Sequence, residues 1–324
     1  MPVRSTGSRL LRRAALMVMG AGWALTAWSA PPATCPPPFQ MPDAAEMQKA
    51  VASATEHGLL WRITKDGRSS YLYGSLHLGR LSTAFPGPKM AEALRNADLV
   101  ALELDVSDPK MPQTLKAAMA ALPASAHQAP PELLKRLEAQ RQRLCMPAES
   151  LAGMPPLLQV MTLMVTAAGN QGLSAMWAQE VMLVGWSQAA ERPVVGLETA
   201  EAQLRALVPN DPAEAALLLD RTLTQLEDGT AERVITRVVD SWVQGRIDDL
   251  ARYDDWCDCM KTPAERRFMA GLMDARNPQM AKGVDTLHKQ GKRVFAAVGA
   301  LHMVGDDGLP SLLARMGYQV TRVF

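Results

Sequence analysis

The sequence predicts an α/β fold of α+β-like character: a central mixed β-sheet with an N-terminal hairpin, flanked by helices and carrying a large helical insertion. Three features predict it. Two β-type runs at residues 59–64 and 71–76 are separated by Lys65-Asp66-Gly67-Arg68, and Asp-Gly between such runs is a strong hairpin signal. Short apolar runs at 99–103, 193–197 and 294–298 alternate with stretches of helical periodicity, the strand-helix-strand pattern. From about 111 to 190 the apolar residues recur at helical spacing in an Ala/Leu/Met-rich stretch, which reads as the insertion.

Residues 1–30 stand apart from this pattern. Arg4, Arg9, Arg12 and Arg13 precede an uncharged run from 14 to 28, which ends in Ser29-Ala30 before Pro31-Pro32. A positively charged start, an apolar middle and a small-residue exit are the layout of a signal peptide, so the protein is expected to be exported, periplasmic or secreted. It would be tied to a membrane only if this segment were retained. Arg12-Arg13 lacks the rest of a twin-arginine signal, and Pro32-Ala33-Thr34-Cys35 lacks the residues usual before a lipidated cysteine.

Residues 31–56 read as a Pro-rich lead (Pro36-Pro37-Pro38) and a short helix at 44–55, and the main domain is expected over 57–324. Within it a helix at 89–96 follows the hairpin. The strand at 99–103 ends in Glu103 and that at 193–197 runs into Glu198, each the first acid after an apolar run. Met154, Met161, Met164, Met176 and Met182 fall in or beside the helical stretch and read as flexible core filling. Helices are expected at 200–208, 212–226, 231–244, 263–273 and 277–290, with Thr262-Pro263 a good helix start. The strand at 294–298, a helix at 307–316 and a strand at 318–323 close the chain.

With 324 residues, 48% of them hydrophobic, the chain can bury a sizeable core. A net charge of +1 and the lack of any Lys/Arg run with interleaved aromatics argue against a nucleic-acid partner. Export gives the four cysteines a meaning: Cys35, Cys145, Cys257 and Cys259 are an even set in an oxidising compartment, which favours disulfides. A bond within Cys257-Asp258-Cys259 would close a very tight ring, so each of these two is expected to reach a distant partner. C-x-C spacing is also unusual for zinc.

Two segments from opposite ends of the chain nearly repeat each other: Gly74-Ser75-Leu76-His77-Leu78-Gly79 and Gly299-Ala300-Leu301-His302-Met303-Val304-Gly305. Each follows a β-type run, so each histidine should sit where a buried strand ends, the place where open α/β sheets bind ligands. Gly74 and Gly299 allow a turn or a close backbone approach. Of the five histidines (His57, His77, His127, His288, His302), just His77 and His302 share this frame. Paired imidazoles at strand ends can serve as metal ligands or as acid/base groups.

The paired motifs resemble the TraB/GumN/Tiki family, marked by one G-x-x-H near each end of the domain, and the GumN-like bacterial branch resembles the chain best. Leu102-Glu103-Leu104-Asp105, Gly196-Leu197-Glu198-Thr199, Arg276-Asn277 and Gly317-Tyr318-Gln319-Val320 resemble it too, so the likeness spans about 59–324. The resemblance implies a metal-dependent hydrolase, peptidase-like in the animal Tiki members. Ala275 stands where relatives often carry an acid.

A divalent metal on two neutral imidazoles and one carboxylate keeps positions open for water and substrate. His77 and His302 supply the imidazoles. Glu103 is preferred as the carboxylate, on the expectation that its strand lies next to that of the first motif. Glu198 is the other candidate, with a helix-cap alternative beside Thr199, and Asp105 reads as a loop or cap acid. Arg276 enters through the resemblance, as a stabiliser of a developing oxyanion. Ser75 lies beside the site with no obvious third partner. No H-E-x-x-H, G-x-S-x-G or Gly-rich phosphate loop occurs. The expected function is an exported metal-dependent hydrolase of peptides or another small substrate. The alternatives are a non-catalytic protein that sequesters a peptide or cofactor, and a polysaccharide-related accessory role implied by the GumN branch.

Overall fold

The structure, a computed structural model, describes residues 35–324; the expected signal peptide at 1–30 lies outside them. Strands β1 (Leu59–Lys65) and β2 (Arg68–Ser75) form the expected hairpin, with Leu59 opposite Gly74 and Lys65 opposite Arg68. Asp66 and Gly67 take φ of 51° and 73° in its two-residue turn, the positive values that Asp-Gly tolerates best. The remaining strands are β3 (Leu99–Leu102), β4 (Val194–Gly196), β5 (Val294–Gly299) and β6 (Gln319–Arg322). They complete one six-stranded mixed sheet in the order β4-β3-β5-β2-β1-β6.

β4, β3, β5 and β2 run parallel, so their carboxyl ends share one edge. One expectation fails here. β3 does not adjoin β2, because β5 from the far end of the chain lies between them. The reason is burial: Val294, Phe295, Ala296, Ala297 and Val298 are all fully enclosed, and a run that is apolar on both faces belongs in the middle of a parallel sheet.

Helices Pro88–Arg95, Gln179–Ala189, Thr230–Val243 and Asn277–Lys289 pack into one core with the strands through Leu94, Leu183, Trp242 and Met280. Each such side chain contributes roughly 1.5–3 kcal/mol by leaving water. A second apolar cluster joins helices Pro131–Arg143, Pro156–Ala167 and Pro212–Glu227 through Leu137, Leu163 and Leu223. Met154, Met161 and Met164 fill its edges and Met182 packs on the sheet core, whereas Met176 is 48% exposed and departs from the core reading. Among the described residues no helix is long and apolar enough to cross a membrane.

The disulfides join Cys35 to Cys145 and Cys257 to Cys259, which corrects the expectation that Cys257 and Cys259 each reach a distant partner. Asp258 adopts φ 57°, in the left-handed region. The chain therefore folds back sharply and brings the two flanking Cα atoms to 5.1 Å, within ordinary disulfide reach.

Candidate functional site

Each of the four parallel strands delivers one candidate residue just past its carboxyl end: β2 His77, β3 Glu103, β4 Glu198 and β5 His302. Ser75 pairs with Gly299, and Leu102 with both Ala297 and Gly196, so β3 and β4 end level with each other and two residues short of β2 and β5. His77, Glu103, Arg276 and His302 line one cleft of about 670 Å³. Leu76, Leu104, Val106 and Leu207 form much of its wall. A smaller cavity of about 280 Å³ among the helices, bordered by Met161, Phe268 and the Cys257–Cys259 pair, contains none of these four residues.

The two motif glycines do different work. A Cβ on Gly74 would stand 3.1 Å from Ala300 Cα, so glycine lets the two motif turns touch. A Cβ on Gly299 would stand 3.3 Å from Glu103 Oε1, 3.5 Å from His302 Cδ2 and 4.0 Å from His77 Nε2. Gly299 thus leaves open a small cradle that the three expected metal-site residues surround.

His302 is buried, with Nδ1 2.6 Å from Asn277 Oδ1. Asn277 Nδ2 donates to the Asp307 carbonyl, which turns Oδ1 toward the imidazole and assigns the ring proton to Nδ1. Burial lowers the His302 pKa to about 4, so at neutral pH its Nε2 carries a lone pair. His77 is the opposite case. Its ring lies on the open wall of the cleft, with Nδ1 3.3 Å from Glu180 Oε1. Surrounding protein lowers its pKa, but the hydrogen bond and charge of Glu180 and the charge of Glu103 outweigh that and raise it to about 9.

Glu103 accepts from the Gly299 N–H at 2.8 Å through Oε1, and from Arg276 Nη2 at 2.6 Å and Gln203 Nε2 at 3.1 Å through Oε2. Burial would raise its pKa, yet His77, His302, Arg276 and the Gly299 N–H hold it at about 2. His302 is uncharged at neutral pH, so the other three groups carry that effect there. Arg276 is buried and also binds both oxygens of Glu198 and the Leu272 carbonyl. Its ion-pair partners are thus Glu103 and Glu198. Glu198 therefore belongs to the site, and Thr199 beside it is the helix cap, accepting from Ala202 N–H. Asp105 accepts from the backbone and hydroxyl of Ser107, the loop role expected.

Glu180 and Gln203 were not legible in the sequence. Glu180 is one acid in the first turn of the helix Gln179–Ala189, where acids are ordinary partners of the helix dipole. In the fold it also accepts from Ser75 Oγ at 2.5 Å, the partner that Ser75 lacked in the sequence.

Among the described residues no three side chains of His, Cys, Asp or Glu form a set that could hold a metal as they stand. The donor chemistry around the Gly299 cradle nevertheless suits one. His302 engages Asn277 through Nδ1 and leaves Nε2 as a free donor, the outer-sphere arrangement of metal-binding histidines; His77 faces Glu180 through Nδ1 and would offer Nε2 to a metal on giving up its proton. Glu103 and Glu198 gather on the single guanidinium of Arg276, while Glu180 lies beside His77.

The chain is 28% identical over 249 residues to the uncharacterized protein YbaP of Shigella flexneri, covering 76% of this chain and 88% of that protein. The likeness to YbaP of Escherichia coli K12 has the same extent. The metalloprotease TIKI1 of Danio rerio is 24% identical over 314 residues, covering 82% of this chain and 63% of that protein. No solved structure matches. The model of the TraB/PrgY/gumN family matches residues 59–322, from the first strand of the sheet to the last, and the chain belongs to that family.

Proposed function

We propose that the protein is an exported hydrolase that cleaves peptides in the cleft at the carboxyl edge of its sheet, using a divalent metal held by His77 and His302 beside Glu103. One observation carries this reading: His77, Glu103 and His302 surround a single point next to Gly299, though they come from three separate strands. The printed name of the distant relative TIKI1, a metalloprotease, supports the same class, and the layout of residues 1–30 supports export.

A bound metal supplies polarisation of the scissile carbonyl and acidification of water. Asn277 holds the His302 ring so that Nε2 faces the arginine and Glu103. Glu198 clamps Arg276 through Nε and Nη2 and the Leu272 carbonyl takes one Nη1 hydrogen, which leaves the other Nη1 hydrogen, on the nitrogen 3.4 Å from His302 Nε2, to meet negative charge developing on a substrate oxygen. A carboxyl at about 2 is a poor proton acceptor. Glu103 is therefore suited to hold a cation rather than to take a proton.

The apolar walls favour a second reading, a non-catalytic protein that holds an apolar peptide in the same cleft. The test is the metal content of purified protein, followed by turnover of an unbiased peptide library by wild type, His77→Ala and His302→Ala. The hydrolase reading expects metal and turnover, both lost in either variant. Peptide binding without turnover in wild type would replace it with the sequestering reading.

A further inference from the structure

Glu180 takes no part in the mechanism just described, yet its setting is built. The helix it opens is pinned to the strand end that carries His77, because Gln179 N–H donates to the Leu76 carbonyl at 3.0 Å. The Gln179 side chain, 2% exposed, adds bonds to the Tyr73 hydroxyl at 3.2 Å and the Thr83 carbonyl at 3.0 Å. Glu180 Oε1 is then fixed between Ser75 Oγ and His77 Nδ1, at 2.5 and 3.3 Å.

The other oxygen, Oε2, is buried without a hydrogen-bond partner among the described residues. Burying an unpaired polar atom is unfavourable. The Ser75 bond can stabilise the fold, whereas the contact with the exposed His77 ring contributes little to it. That contact has a counterpart across the cleft, where Asn277 Oδ1 holds Nδ1 of His302.

We infer that Glu180 is the positioning residue of His77, holding the ring by Nδ1 so that Nε2 is presented to the cradle beside Gly299. This rests on the hydrolase reading for its purpose, but not for its test. Without Glu180 the ring is free to turn about its side-chain bonds on an open wall, and the second nitrogen ligand is lost from the cradle. Outer-sphere partners of this kind change metal affinity or activity by about 10–100-fold.

The test uses metal-free full-length protein as wild type, Glu180→Gln and Glu180→Ala, with crystal structures read for the His77 ring and Co²⁺ alone titrated by its visible absorption. Glu180→Ala is expected to release the ring from its single orientation and to weaken Co²⁺ binding by about 10–100-fold. Glu180→Gln keeps an acceptor near Nδ1 and is expected to hold the ring while weakening Co²⁺ by a smaller factor; it also decides the matter should the alanine variant not fold. On any peptide that wild type cleaves, kcat should fall with KM nearly constant. An unchanged ring orientation and unchanged Co²⁺ affinity in both variants would overturn the inference. Failure of wild type to cleave any peptide would sink the hydrolase reading alone, because the ring and Co²⁺ readouts need no turnover.

Discussion

Ser75 and Gly299 lie directly opposite each other on neighbouring parallel strands, and this register brings the two motif histidines from opposite ends of the chain to one cleft. His77 follows Ser75 by two residues, while His302 follows Gly299 through the short turn Ala300–Met303. The two nearly repeated motifs thus occupy adjacent strand ends. Gly299 matters twice, through its N–H on Glu103 and through the side chain it lacks.

Gly299→Ala separates these two contributions. Its φ of −48° and ψ of 139° admit alanine, so the stability loss should stay below about 1 kcal/mol. The new methyl, however, would press to 3.3 Å from Glu103 Oε1, an oxygen already fixed by the Gly299 N–H. Co²⁺ affinity and turnover should each fall by about 10²-fold with the melting temperature nearly unchanged. A fully active alanine variant would show that the cradle is not used.

Arg276→Ala leaves two buried carboxylates, Glu103 and Glu198, without their shared cation. Removing one partner of a buried ion pair costs about 3–5 kcal/mol, which a urea midpoint would register. Turnover should drop by about 10²-fold or more, while Co²⁺ remains bound. Loss of metal together with an unshifted midpoint would contradict the place given to Arg276.

The two disulfides should differ in stabilising effect. Cys35–Cys145 closes a separation of 110 residues and Cys257–Cys259 one of 2, and closing the longer loop restricts the unfolded chain far more. Replacing Cys35 and Cys145 by Ser should cost about 2–4 kcal/mol, and replacing Cys257 and Cys259 much less. Peptide mapping under non-reducing conditions checks the pairing itself.

Asp249 gives a pH signature outside the site. Hydrogen bonds from Arg237 and Ser241 hold its carboxyl at about 2, below the ordinary value near 4 for an unfolded chain. A depressed carboxyl stabilises the fold above its unfolded pKa and loses that contribution as pH falls through the folded one. Wild type should therefore melt above Asp249→Asn at pH 7, the gap should shrink from about pH 4 to 2, and it should vanish below. A gap that is constant with pH would refute the assignment.

The hairpin, the helical stretch and the strand-end placement of His77, Glu103, Glu198 and His302 were legible because local signals write them: Asp-Gly for the turn, period for the helices, an acid or G-x-x-H after an apolar run. The position of β5 between β2 and β3 was not, since sequence order says little about which strand takes the doubly buried centre. The Cys257–Cys259 bond hinged on a left-handed Asp258, a conformation that aspartate tolerates but does not announce. Glu180 and Gln203 reach the site from helices, where one acid or amide among many surface-type residues carries no local mark.

The central claim, that His77 and His302 serve one site, is tested most directly by a double-mutant cycle. kcat/KM would be measured on the best peptide from the library for wild type, His77→Ala, His302→Ala and the double variant. Residues that act as a unit are strongly non-additive, so the double variant is expected to be no worse than the weaker single variant. Losses that simply multiply, or a folded double variant with full activity, would contradict the shared site.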